Sequence, residues 1–107
     1  MTDTIAVLVT AGSQAEAERI AQMLVGEQLA ACVNIVGPIT SVYRWQGQIE
    51  RGQELLLIVK TRAALFTDLE DRIKAAHSYE NPEVIALPIT AGSAAYLDWL
   101  RGATRNP

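Results

Sequence analysis
The strands of this chain are apolar on both sides, and that restricts its folds more than any other feature. Leu55-Leu56-Leu57-Ile58-Val59 is the longest unbroken apolar run, and Ile5-Ala6-Val7-Leu8-Val9 and Val84-Ile85-Ala86-Leu87 repeat the pattern. Side chains alternate along a strand. Leu55, Leu57 and Val59 therefore oppose Leu56 and Ile58, and Ile5, Val7 and Val9 oppose Ala6 and Leu8. A sheet with one wet face would alternate apolar with polar residues instead. Burying about five such side chains on a second face is worth roughly 2 kcal/mol each. That rivals the whole stability of a typical domain, about 5–15 kcal/mol, and leaving the face wet would create an aggregating patch. The chain is expected to associate with copies of itself.

The elements between these runs set the topology. Ile5–Val9 reads as a buried strand ended by Thr10-Ala11-Gly12. Ser13 then opens a helix, with Glu16 three residues on to complete a capping box. Ala17, Ile20, Ala21 and Leu24 share one face of that helix. Ala31 to Trp45 is a long strand interrupted by Gly37-Pro38, where a bend or bulge belongs because proline cannot donate to a ladder. Gln46-Gly47-Gln48 turns the chain, Glu54 to Thr61 returns it, and the tip of this hairpin should project. A second helix is expected from about Ala63 to His77, with Leu65, Leu69 and Ile73 as its stripe and an Asp68–Arg72 pair on its wet face. Val84 to Leu87 is a fourth strand. Ser93 caps a last helix, Ala94 to Arg101, packed through Tyr96, Leu97, Trp99 and Leu100. The order is β-α-β-β-α-β plus a C-terminal helix, the α+β ferredoxin-like pattern with two helices on one face. Two helices cover one face only, and a ten-residue third helix would cover part of the other.

Composition narrows the function. The 107 residues suit one domain, 1–107. Net charge is −3 with no cluster of Lys or Arg, which argues against a nucleic-acid partner. Cys32 is the only cysteine and fits a reducing compartment. The start, Met1-Thr2-Asp3-Thr4, is polar and lacks the features of a signal peptide. No apolar run is long enough to cross a bilayer. A cytoplasmic protein with no membrane association is expected.

Few residues invite chemistry. His77 is the only histidine, placed where a cation would meet a helix C-terminus. As imidazole it is also a candidate metal ligand, with Glu80 and Glu83 near in sequence. Asn34 and Lys60 are polar groups within apolar strands and need partners. With Tyr79 and Glu83 they form a candidate ligand pocket, suited to a small anion between subunits. Tyr43 and Trp45 at the hairpin tip are candidate subunit-interface anchors. The Thr10–Ser13 turn offers backbone N–H groups to an anion but lacks a glycine-rich phosphate loop. No nucleophile, base and orienting group fall in any known order, so catalytic residues are not expected.

Four ordered stretches carry a resemblance: Ala30-Ala31-Cys32-Val33-Asn34-Ile35 with Ser41-Val42-Tyr43-Arg44-Trp45-Gln46-Gly47, Glu54 to Thr61, His77-Ser78-Tyr79-Glu80-Asn81-Pro82-Glu83, and Tyr96-Leu97-Asp98-Trp99. Together they resemble the CutA divalent-cation tolerance family over almost the entire chain. The resemblance implies a PII-like homotrimer, a cytoplasmic role in tolerance of copper and other divalent metals, no required cofactor and no established enzymatic activity. Copper-binding members place a cysteine at the end of the first strand and two adjacent histidines after the second helix. Here Val9 and Ala76 stand at the cysteine and first histidine, Ser78 replaces the usual following proline, and His77 alone is retained. Weak copper(II) binding through His77 is the implied metal chemistry. A PII-like small-molecule sensor is the alternative.

Overall fold
The computed structural model describes residues 3–107; Met1 and Thr2, where the polar start begins, lie outside them. Strand β1 (Thr4–Ala11), helix α1 (Gln14–Gly26), strands β2 (Cys32–Trp45) and β3 (Gln48–Arg62), helix α2 (Phe66–Ala76), strand β4 (Val84–Pro88) and helix α3 (Ala94–Gly102) follow in that order. The strands make one antiparallel sheet, ordered β2-β3-β1-β4. This is the expected ferredoxin-like α+β topology, with β1 and β3 central.

Register explains why the sheet has two apolar faces. One face carries Ile5, Val7, Val9, Leu55, Leu57 and Val59, all buried against Ile20 and Leu24 of α1 and Leu69 and Ile73 of α2. On the other, cross-strand partners form rows. Leu87, Ala6, Lys60 and Cys32 make one; Ile85, Leu8, Ile58 and Asn34 the next; Thr10, Leu56 and Val36 a third. No helix of the core cluster packs on these rows. Leu8, Leu56 and Ile58 are half-buried, and Ile85 and Leu87 about half exposed. Helix α3 does not close the face with its aromatic residues. Leu100 is buried, whereas Tyr96 and Trp99 stack on each other at the surface, ring centroids 5.3 Å apart. The expected packing role of those two rings is corrected accordingly.

The long hairpin gives the molecule its 44 Å axis against 25 and 22 Å for the others. Its turn is Gln46-Gly47, both at positive φ, as a two-residue hairpin turn with matching twist requires. A bulge separates Val36 from Ile39, and Gly37 is needed in it. Its φ is +146°, and a Cβ there would lie 2.8 Å from Leu55 Cδ1. Strand β3 begins at Gln48, six residues before the expected start at Glu54, because its polar first half pairs only with the exposed arm of β2 and carries no burial pattern.

Three local expectations differ. Helix α2 starts after a 3-10 turn at Ala63–Leu65 and stops at Ala76, leaving His77 extended. Arg72 pairs with Glu27 of the α1 C-cap at 2.7 Å, and Asp68 with Arg105 at 3.6 Å, so the intrahelical Asp68–Arg72 pair gives way to bonds across the helix layer. Ser93 makes no side-chain cap bond. Among the described residues no helix is long and apolar enough to cross a membrane.

Candidate functional site
The first strand-to-helix turn and the segment after α2 meet at the end of β1. Ser13 Oγ accepts the Glu16 N–H at 3.1 Å, one half of the capping box. The reciprocal half is altered. Glu16 Oε1 takes the N–H of Gly12 at 3.3 Å rather than that of Ser13, because the carboxylate also reaches across to Ser78. Ser78 donates its N–H to Oε2 at 2.8 Å and its hydroxyl to Oε1 at 3.0 Å. Glu16 is only 5% exposed. Burial alone would raise its carboxyl pKa, but the Ser78 bonds, the Gly12 N–H and nearby His77 hold it below the usual carboxylate range. Glu16 also occupies the first turn of α1, where a negative charge meets the helix N-terminus. The turn considered for an external anion is thus served by the chain's own carboxylate.

His77 lies beside this carboxylate, Nδ1 3.9 Å from Glu16 Oε2, with no exposed side-chain surface. Nε2 is 2.6 Å from the carbonyl oxygen of Thr10, and Nδ1 accepts the N–H of Tyr79 at 3.0 Å. This pattern needs the tautomer with its proton on Nε2. Both nitrogens are then committed, so in this arrangement the ring offers an ion no lone pair. Among the described residues no three His, Cys, Asp or Glu side chains converge as metal ligands. As they stand, these residues do not fit a resident copper ion.

Tyr79 extends the network into a cleft. Its ring packs 4.6 Å from His77, its hydroxyl donates to Glu54 Oε2 at 2.8 Å, and a Cβ on Gly12 would sit 3.1 Å from that hydroxyl. Burial, the Glu54 bond and the Glu54 charge raise the phenol far above its ordinary value. The cleft, about 610 Å³, is lined by Tyr43, Trp45, Glu54, Tyr79, Glu80 and Glu83 among others, including Arg44. Desolvation and the Glu54 charge raise the Glu83 carboxyl.

The four candidate pocket residues do not come together. Tyr79 and Glu83 line the cleft, as do the candidate interface residues Tyr43 and Trp45. Asn34 and Lys60 sit on the open sheet face and hydrogen-bond to each other, with Cys32 Sγ 3.9 Å from the same Asn34 oxygen. Lys60 lies six positions along β3 from Glu54, roughly 20 Å. Sequence reading gives Glu16 only a capping role and Glu54 only a place at the start of a strand. The available signal for Glu16 was its place beside Ala17 and Ile20 on the buried stripe. For Glu54 it was a carboxylate in phase with the second apolar face.

A family model described as the CutA1 divalent ion tolerance protein matches residues 5–103. The divalent-cation tolerance protein CutA of Thermus thermophilus is 55% identical over 92% of this chain and 95% of its own. The chloroplastic CutA protein of Arabidopsis thaliana is 50% identical over 96% of this chain, which spans 57% of that longer protein. The crystal structure of CutA1 from Oryza sativa superimposes with a TM-score of 0.96 at 46% identity, covering 99% of this chain and 97% of that one. With its fold, length of match and identity all in agreement, this chain belongs to the CutA1 divalent ion tolerance family.

Proposed function
We propose that this chain serves divalent-cation tolerance as a cytoplasmic homotrimer and catalyses no reaction. The uncovered apolar face of the sheet is the observation behind the assembly. Leu8, Leu56, Ile58, Ile85 and Leu87 form one apolar surface with no helix of the core cluster over it, the kind of contiguous patch that marks an interaction site. The single unpaired Cys32 suits a reducing compartment. Sedimentation at micromolar concentration is expected to return three times the 11.6 kDa chain mass. A well-behaved monomer there would overturn the proposal.

Copper(II) enters as a cation met weakly at surface oxygens, not held in a built centre. The bonded state of both His77 nitrogens supports this. Calorimetric titration with copper(II) is expected to give the same weak isotherm for the wild type and for His77→Asn. Binding that disappears in the variant would return the metal to His77.

A further inference from the structure
The cleft along the hairpin arm has the size and the lining of a small-molecule site. Its volume of about 610 Å³ falls within the range of ligand pockets, roughly 300–1,000 Å³. Two kinds of group line it together. Tyr43, Trp45 and Tyr79 bring aromatic rings, and Glu54, Glu80 and Glu83 bring carboxylates. Tyr79 is held by its bond to Glu54 and by its N–H on His77 Nδ1. Arg44 is one cation against three carboxylates, and among the described residues no ion pair joins it to them. An anionic ligand would meet this excess of negative charge. A bare divalent ion would find no converging set of three ligands among the described residues and would gain little from the rings. An ammonium group matches both linings, because ring faces attract cations and carboxylates accept N–H bonds.

We propose that this cleft binds a small organic amine, one cationic nitrogen held at the Tyr79 end by the carboxylates of Glu54 and Glu83, and the rest of the ligand lying along the hairpin arm past Tyr43 toward Trp45. The amine site stands independently of the metal proposal. Crowding of Glu83 by Glu54 agrees with it, since a bound cation relieves that repulsion.

The chain has two tryptophans, so Trp99→Phe leaves Trp45 as the reporter in the intact assembly. Spermidine is expected to change Trp45 emission saturably, with a midpoint below about 1 mM. Glutarate and sodium chloride at matched ionic strength should leave it unchanged. Glu83→Gln should weaken the spermidine midpoint about tenfold, equivalent to 1.4 kcal/mol, and Glu80→Gln serves in its place if that variant fails to assemble. No saturable change up to about 10 mM, an equal response to salt, or a midpoint unmoved by the carboxamide variant would overturn the proposal. So would a cleft already filled by a neighbouring copy, which reads as no response.

Discussion

Glu16→Ala is expected to lower stability by about 2–4 kcal/mol, the largest effect of any single polar substitution in the network that joins the first turn to the segment after α2. The carboxylate satisfies two backbone N–H groups, those of Gly12 and Ser78. Alanine leaves both without a partner in a part-buried turn, and each unmet donor costs about 1–3 kcal/mol. The Ser78 hydroxyl, which also bonds the carboxylate, can rotate toward water and adds little. Glu16→Gln keeps one acceptor oxygen and should cost roughly half as much. Thermal or urea unfolding of the three proteins measures the order. A wild-type-like Glu16→Ala would mean that water replaces the carboxylate without penalty.

The same group makes the fold sensitive to acid. The Glu16 carboxyl is held below its ordinary value in the folded state. Its contribution is therefore fully present above the unfolded carboxylate pKa and is lost as pH falls through the lower folded one. Wild type and Glu16→Gln should converge in stability as pH drops through that window and separate again toward neutrality. Glu83 has the opposite sign. Its raised carboxyl favours the fold below the unfolded pKa, and that advantage disappears as pH rises through the folded value. Subtracting the Glu83→Gln profile from that of wild type should isolate this smaller contribution.

The sheet was legible because strand patterning is local. Ile5–Val9 and Leu55–Val59 announce their two faces residue by residue, and the order β2-β3-β1-β4 follows from element order together with the ferredoxin-like connection rules. The bulge at Gly37 could be read because Pro38 removes a donor. Helix-face details were less legible. Arg72 has Asp68 one turn away, but the Glu27 carboxylate is presented bidentately from another helix, and sequence spacing cannot see it. The cleft was half legible. Tyr79 and Glu83 were found as polar groups near an apolar frame. Asn34 and Lys60 drew the same inference, yet each satisfies the other on a different part of the sheet. Glu16 was read as a capping residue, which it is, while its longer reach is to Ser78, 62 positions further along the chain. His77 shows the same limit. Its chemistry as a residue type admits a metal, and its surroundings leave neither nitrogen free.

Ile58→Asp is expected to dissociate the assembly while leaving the fold of each chain in place. Ile58 lies between Leu8 and Asn34 in the middle row of the open face, with its side chain away from α1 and α2. The helix-side core formed by Val7, Leu57, Val59 and Ile73 does not include it. In a lone chain the new carboxylate would meet water and cost little. In an assembly that covers this face it would be buried beside Leu8, Leu56 and Ile85, and an unpaired buried charge costs about 3–5 kcal/mol. Each 1.4 kcal/mol is tenfold in an association constant, so each buried copy weakens assembly by two to three orders of magnitude, on the order of 10²–10³. Lys60 is one row away and bonded to Asn34, too committed to neutralise the charge fully. Thr67→Asp, on the exposed side of α2, supplies the control, since the same charge placed there should leave the mass unchanged. Sedimentation should therefore show a monomer for Ile58→Asp with a wild-type circular dichroism spectrum, and a trimer for Thr67→Asp. A trimer in both would mean that copies meet elsewhere and that the apolar face remains open to solvent despite its cost.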